Sequence, residues 1–379
     1  MRINSNHTVR FLFICLLIGF TLVAAAACGD SQVEQEPTEP TTPDESEKEE
    51  PEEEDISPEQ QRIEEMSERF SDPQLPGAFS VFIANNPGAR PQDGLQYADV
   101  VWEFELEGGI TRYLAIFYSL PAEKIGPIRS ARLYMVEAAR GYDIPLFHAG
   151  GNLDALDALD SLGVKSMCDI YSAGGFAWRS DERSAPENLY IGTKQLQQAA
   201  EYRGFANTPP NSGFPADWAE EVEETYPLPH EEGIWEKSKD VNSFTLTYAN
   251  YDNYHYSTSY HYKENTYQKY INEGPLRTAD DADVIADNIL VVEAPGEMTK
   301  PPGEWDWQLD VDITGSGKAW IFSGGRMLQG QWSKEAPEEQ IVFTTNDAEK
   351  TIQIPPGVTW INHITSREQL SIADESEGE

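Results

Sequence analysis

The chain of 379 residues carries 66 Asp and Glu against 27 Lys and Arg, a formal net charge of −39. That balance offers no basic face to a phosphate backbone, which excludes nucleic acid as a partner, and it suits a soluble extracytoplasmic protein. Once the two ends are set aside, the length leaves room for about two domains of ordinary size.

Residues 1–27 read as a signal peptide: Arg2 and Arg10 form a basic start, Phe11 to Val23 an apolar core, and Ala24 to Ala27 a small-residue stretch that ends at Cys28. The run LVAAAACGD satisfies both an ordinary small-residue cleavage site and a bacterial lipobox with Cys28 as the first mature residue. A palmitate-type acyl anchor on Cys28 would hold the protein on the membrane, where one chain alone is marginal and two are stable. Cys15 leaves with the signal, so Cys168 is the one unmodified thiol, and neither an internal disulfide nor a cysteine metal site is expected.

Residues 28–75 read as an acidic tether. From Asp30 to Arg69 there are 17 Asp and Glu against 3 Lys and Arg, among Pro, Ser and Thr, and too few large apolar residues to fold. Near its end SPEQQRIEEMSERF has the make-up of a short helix. The folded part is expected from Pro76, as an α/β domain with a mixed sheet over 76–206, an interdomain connection over 207–240, a mainly antiparallel β domain over 241–366 and a disordered tail over 367–379.

Within the first domain AFSVFIANN reads as a strand, followed by the turn that carries Arg90. Val100, Trp102, Phe104 and Leu106 then alternate with Asp99, Glu103, Glu105 and Glu107, a strand with one apolar and one acidic face. Gly108-Gly109 reads as a two-residue hairpin turn, which sets Glu105 opposite Arg112 and Phe104 opposite Tyr113. In EKIGPIRSARLYMVEAARG, Gly126-Pro127 precedes a helix that Ser130 is placed to cap, with Arg129 and Arg132 beside its N-terminus. That end of a helix is already electropositive, so the two arginines need a compensating anion. It is either the acidic strand face from Asp99 to Glu107 or a bound phosphate, carboxylate or sulfate, joined by Arg90, Arg112 and Arg183.

A second strand-to-helix junction follows. IPLFH ends at His148, Gly150-Gly151 turns, Asn152 caps, and Leu153, Leu156, Leu159 and Leu162 are spaced for the core face of a helix. His148 reads as a structural histidine more readily than a catalytic one, and no zinc spacing or phosphate-loop fingerprint occurs. Beyond a Gly-rich loop with Arg179, Arg183 and Asn188, Thr193 to Tyr202 reads as a helix. After residue 241 the pattern is all strand, with a Gly324-Gly325 hairpin and many Tyr and Trp, a candidate platform for sugars.

The motifs NNPGARPQDGLQYADVVWEFELEGGITRYLAIF, IGPIRSARLYMVEAARGYDIPLFHAGG, APENLYIG, GSGKAWIF and TWINHI resemble the YerB-like bacterial lipoproteins, whose two domains have no assigned function. The resemblance runs from Pro76 to Ile364 and implies a membrane-anchored protein of the cell envelope. Where that family has APHNLY this chain has Glu187 in place of the histidine. The order Asn85-Asn86, Arg90, Asp99, Arg129 to Arg132 and FHAGGNLDALDALDSLGV is also similar to the LytR-CpsA-Psr phosphotransferases, although their RSDT and PRD runs are absent. That likeness implies Arg90, Arg129 and Arg132 on a lipid-linked pyrophosphate and Asp99 on a divalent metal. The leading expectation is an envelope lipoprotein whose arginine-lined site binds a wall glycan, a pyrophosphate lipid or a partner protein; the alternative is a divalent-metal-dependent transferase.

Overall fold

The computed structural model describes residues 57–205, 233–301, 303–304 and 306–373. Cys28, the signal segment, most of the tether and most of the connection lie outside them.

The first element is helix α1, Pro58–Ser71, which falls inside the stretch expected to be tether. Ser57 caps it, and Ile63, Met66 and Phe70 on one stripe are buried. Folded structure therefore begins near residue 57 rather than at Pro76. Two ion pairs fix the helix to the rest: Arg69 Nη2 lies 2.8 Å from Asp99 Oδ1, and Arg62 Nε lies 2.7 Å from Asp287 Oδ1.

Then come β1 (Phe79–Ala84), β2 (Val100–Glu105), β3 (Thr111–Phe117), α2 (Leu133–Arg140), β4 (Leu146–His148), α3 (Leu153–Ser161), β5 (Ser166–Cys168) and α4 (Thr193–Arg203). The second half supplies β6 (Ser243–Tyr251), β7 (Tyr254–Lys263), β8 (Thr266–Ile271), β9 (Asn288–Glu293), β10 (Gly296–Thr299), β11 (Gln308–Val311), β12 (Gly315–Ser323), β13 (Arg326–Lys334), β14 (Val342–Thr345), β15 (Thr359–Ile364) and β16 (Leu370–Ile372). The N-terminal region is thus mixed α/β and the C-terminal region mainly antiparallel β.

The large sheet runs in the order β14-β13-β12-β9-β15-β2-β3-β1-β4-β5. β15 lies parallel between β9 and β2, with Val100 opposite Thr359 and Glu103 opposite Asn362, so one sheet continues from one region into the other. β1, β4 and β5 are mutually parallel, and β3 is antiparallel to β1. β8, β7, β6 and β16 form a second, antiparallel sheet. Helices α2 and α3 cover one face of the large sheet through Tyr134, Met135, Val136, Ala155 and Leu159, packed on Trp102, Phe104 and Leu114. The second sheet and α4 cover the other, where Tyr248, Tyr256, Tyr260 and Leu196 join Val101 and Tyr113 in one core.

The hairpin at Gly324-Gly325 has the expected two-residue turn, with Ser323 opposite Arg326 and both glycines at positive φ. The one at Gly108-Gly109 does not. Glu105 pairs with Thr111 and Phe104 with Arg112, because the loop holds three residues, Glu107 to Gly109, closed by Leu106 N–H donating to Ile110 O. A one-residue difference in register puts every side chain on the opposite face. Arg112 therefore sits on the helix side with Phe104, and the expected Glu105–Arg112 pair does not form. Gly109 is required there: a Cβ would lie 2.5 Å from Tyr248 O on β6.

Candidate anion-binding site

Helix α2 starts at Leu133 with Arg132 as its N-cap residue, and no side chain caps it. Ser130 is not the cap because residues 128–131 are extended. Arg129 N–H donates to Phe82 O, Ala131 N–H donates to Gly150 O, and Ile128 bridges to Ile83. The segment is laced between β1 and the Gly150-Gly151 turn, at the carboxyl ends of the parallel strands β1 and β4, where α/β sheets place ligands. Arg129 thus precedes the helix, and the pair is not spaced along its first turn.

Three arginines converge at this end of the sheet. Arg112 starts β3 and is buried, 6% exposed. Its Nη1 donates to Ser130 O at 2.5 Å, and its Nε is buried without a hydrogen-bond partner. Burial pulls the Arg112 guanidinium down to about 9, helped by the positive charges of Arg132 and Arg129. Arg132 forks onto Glu107, Nε to Oε1 at 3.1 Å and Nη2 to Oε2 at 3.3 Å. Arg129 Nη2 lies 3.3 Å from Glu187 Oε1, which also accepts from Asn86 Nδ2 at 3.2 Å. Of the acidic strand residues, only Glu107 reaches the arginines. Its role was legible as part of that face, whereas Glu187, 58 residues along from Arg129, stood out only as the departure from APHNLY, with nothing local to join it to Arg129.

The neighbouring helix shows the arrangement that α2 lacks. Asn152 caps α3 by accepting from Ala155 N–H at 3.3 Å, and its Nδ2 donates to Gln308 Oε1. Leu153 N–H donates to Glu304 Oε1 at 2.7 Å, so a carboxylate already occupies this N-terminus. Leu153 itself is 48% exposed, and Ala155, Ala158 and Leu159 form the buried stripe in place of the expected leucine ladder. Between the two helix ends lies a cleft of about 410 Å³ bordered by Glu107, Ser130, Arg132, Asn152, Glu304 and the exposed Trp307.

The other expected residues lie apart from this cluster. Asp99 is fully buried. It accepts from Arg69 Nη2 at 2.8 Å, Tyr118 N–H at 2.6 Å, Ser119 N–H at 2.8 Å and the Ser119 hydroxyl. Its lone pairs are engaged by protein donors, so it is not placed as a metal ligand. Among the described residues no three His, Cys, Asp or Glu side chains are grouped as metal ligands. Glu103 pairs with Lys269, Nζ to Oε2 at 2.7 Å, and Glu105 accepts from Gln369 Nε2 at 2.8 Å and Thr365 Oγ1 at 3.0 Å. His148 is buried with Nδ1 2.8 Å from Gly150 O and Nε2 2.9 Å from Ser166 Oγ, and burial lowers it to about 4, so it stays neutral and structural. Asn188 accepts from Arg179 Nη1 at 2.7 Å. Arg183 donates to Ala89 O and Pro91 O, each at 2.5 Å, and bolts down the loop that carries Arg90. Arg90 lies against Tyr256, 5.2 Å from the ring centre, on the face of the sheet that bears Glu103 and so across the sheet from Arg112.

Residues 68–206 match the N-terminal domain, and residues 244–361 the C-terminal domain, of a protein of unknown function, DUF3048. The chain is 30% identical to the Bacillus subtilis protein named Putative lipoprotein YerB over 298 residues, 78% of this chain and 83% of that one. The crystal structure of Bacillus subtilis YerB superposes with a TM-score of 0.66 at 27% identity, covering 81% of this chain and 96% of that one. The chain therefore belongs to the DUF3048 family, the family of the lipoprotein YerB, whose members have no assigned function.

Proposed function

We propose that the protein is a membrane-anchored envelope lipoprotein that binds an anionic wall component at Arg112, Arg129 and Arg132. The observation that carries this reading is Arg112: a buried guanidinium, flanked by two more, with an Nε that donates to nothing. Each unmet buried donor costs about 1–3 kcal/mol, more when charged, and an oxyanion would remove that cost. The uncapped N-terminus of α2 adds positive potential at the same place.

The cleft gives the ligand a direction. Arg132 at one end favours a phosphate or carboxylate. Glu304 and Asp306 toward the other end repel a second anionic group but accept hydroxyls, and the exposed Trp307 offers a flat apolar surface. A phosphate-bearing glycan of the wall has that polarity. Glu107 and Glu187 hold Arg132 and Arg129 until such a ligand displaces them.

Titration calorimetry with pyrophosphate tests the site. Wild type should bind, and Arg112→Gln should lose binding by about tenfold or more. Its unfolding free energy should stay within about 1 kcal/mol of wild type, because the lost bond to Ser130 is offset by removal of a buried, repelled charge. Absence of pyrophosphate binding by wild type would remove the proposal. The anchor is tested separately: Cys28→Ala should move the protein from the membrane to the soluble fraction, and unchanged retention would contradict lipid anchoring at Cys28.

A further inference from the structure

On the opposite face of the large sheet, four buried donor or acceptor atoms that find no partner among the described residues sit on side chains clustered near Tyr256. Tyr113 is opposite Glu103 in the β2–β3 ladder, and Tyr256 donates to Glu103 Oε1 at 2.6 Å. Tyr248 stacks on Tyr256 with ring centres 5.7 Å apart, Tyr254 stands two residues before Tyr256 on β7, and Arg90 lies over the Tyr256 ring at 5.2 Å. The hydroxyls of Tyr113, Tyr248 and Tyr254 and the Nε of Arg90 are all buried and make no hydrogen bond among the described residues. Tyr113 is 0% exposed and Tyr248 5%, while Arg90 and Tyr254 are half-buried and form the outer side.

Buried polar atoms are nearly always paired, and one orphan is costly. Four around one ring point to a missing partner. The charge balance defines it. Glu103 is already matched by Lys269, so Arg90 is the surplus charge; among the described residues no carboxylate pairs with it. A single negative charge closes that balance, and a doubly charged phosphate would set an unmatched charge beside Glu103. The backbone that carries Arg90 is also fixed, since Arg183 bonds the carbonyls on both sides of it, Ala89 O and Pro91 O. A guanidinium fork beside phenolic donors matches the planar geometry of a carboxylate.

We propose that Arg90, Tyr113, Tyr248 and Tyr254 form a second ligand site that takes a small carboxylate, separate from the Arg112 cluster. The site stands whether or not the Arg112 cluster binds pyrophosphate.

The test follows arginine side-chain resonances by NMR while acetate is added to the folded extracytoplasmic protein. The Arg90 Nε–H signal should shift saturably, with the same midpoint in Arg112→Gln. Affinity should fall by about tenfold in Arg90→Gln. Tyr254→Phe, which removes only a hydroxyl at the outer edge and leaves the fold intact, should weaken binding as well. Inorganic phosphate at equal concentration should produce a smaller shift. No saturable shift with acetate in wild type overturns the proposal, as does a midpoint unchanged in both Arg90→Gln and Tyr254→Phe. A crystal structure from acetate in which ordered water alone bridges the four atoms overturns it too.

Discussion

Lys269→Ala should lower stability by about 3–5 kcal/mol, the cost of stranding a buried ion. Lys269 is 1% exposed at its side chain, and its Nζ lies 2.7 Å from Glu103 Oε2 and 2.5 Å from the Tyr260 hydroxyl. The ammonium also sits 4.4 Å from the ring centres of Tyr260 and of Trp360. Burial lowers this lysine to about 8, with Glu103 acting against the shift. Without it, Glu103 remains among Thr111, Tyr256 and Asn85 with no cation. The double change Glu103→Gln with Lys269→Met should cost less than the sum of the single changes, because neither charge is then stranded. Urea unfolding of the four proteins decides it; a loss below about 1 kcal/mol for Lys269→Ala would show that water reaches the pair.

Arg69→Ala should have an effect of similar size, about 3–5 kcal/mol near neutral pH. Asp99 is fully buried, and burial raises it while the Arg69 charge and the Ser119 and Tyr118 donors hold it down. Removing the guanidinium lets it rise further. A carboxyl raised above its unfolded value contributes stability that is present below the unfolded value and lost as pH rises through the folded one. The deficit of Arg69→Ala should therefore be largest near neutrality and shrink as pH falls toward the ordinary carboxylate range, since both folded values lie above it. Proteolysis gives a second readout. In wild type α1 should resist cleavage, whereas in Arg69→Ala it should be cut early while the sheet survives. A pH-independent deficit would contradict a charged Asp99.

Local patterns in the sequence were good guides where the chain pairs with itself nearby. The alternation through Val100, Trp102 and Phe104, the Gly324-Gly325 turn, the Asn152 cap and the helix from Thr193 all follow from neighbours a few residues away. Three features depended on distant partners that no local pattern names. The short helix of SPEQQRIEEMSERF was expected, but in so polar a segment its docking on the folded part was not, and Asp99 and Asp287 anchor it from 30 and 225 residues away. β15 enters the sheet between β2 and β9 buried along its whole length, but its run TWINHI mixes Trp and Ile with Thr, Asn and His and so names neither its burial nor its neighbours. The α2 arginines looked like a first-turn pair because Ser130 is a good cap; the backbone of residues 128–131 is instead taken up by β1 and the Gly150-Gly151 turn.

The largest departure concerns the arginines, and a single residue of loop length caused it. A two-residue turn at Gly108-Gly109 would have put Arg112 on the acidic face beside Glu105. The three-residue loop puts it on the helix face among Arg129 and Arg132 instead. An arginine that should have been neutralised within its own hairpin thus became the unmet charge of the candidate site. Arg90 and Arg183 were expected in the same constellation, but the sheet lies between Arg90 and Arg112, and Arg183 is used to hold the Arg90 loop.

The most direct test of the Arg112 cluster is the position of an electron-dense oxyanion. Crystals soaked in tungstate should show its anomalous peak within hydrogen-bonding distance of Arg112 or Arg132 beside Ser130, with Glu107 or Glu187 turned away, and no such peak in Arg112→Gln. Tungstate absent from that place in wild-type crystals, or bound there equally in Arg112→Gln, would contradict the account.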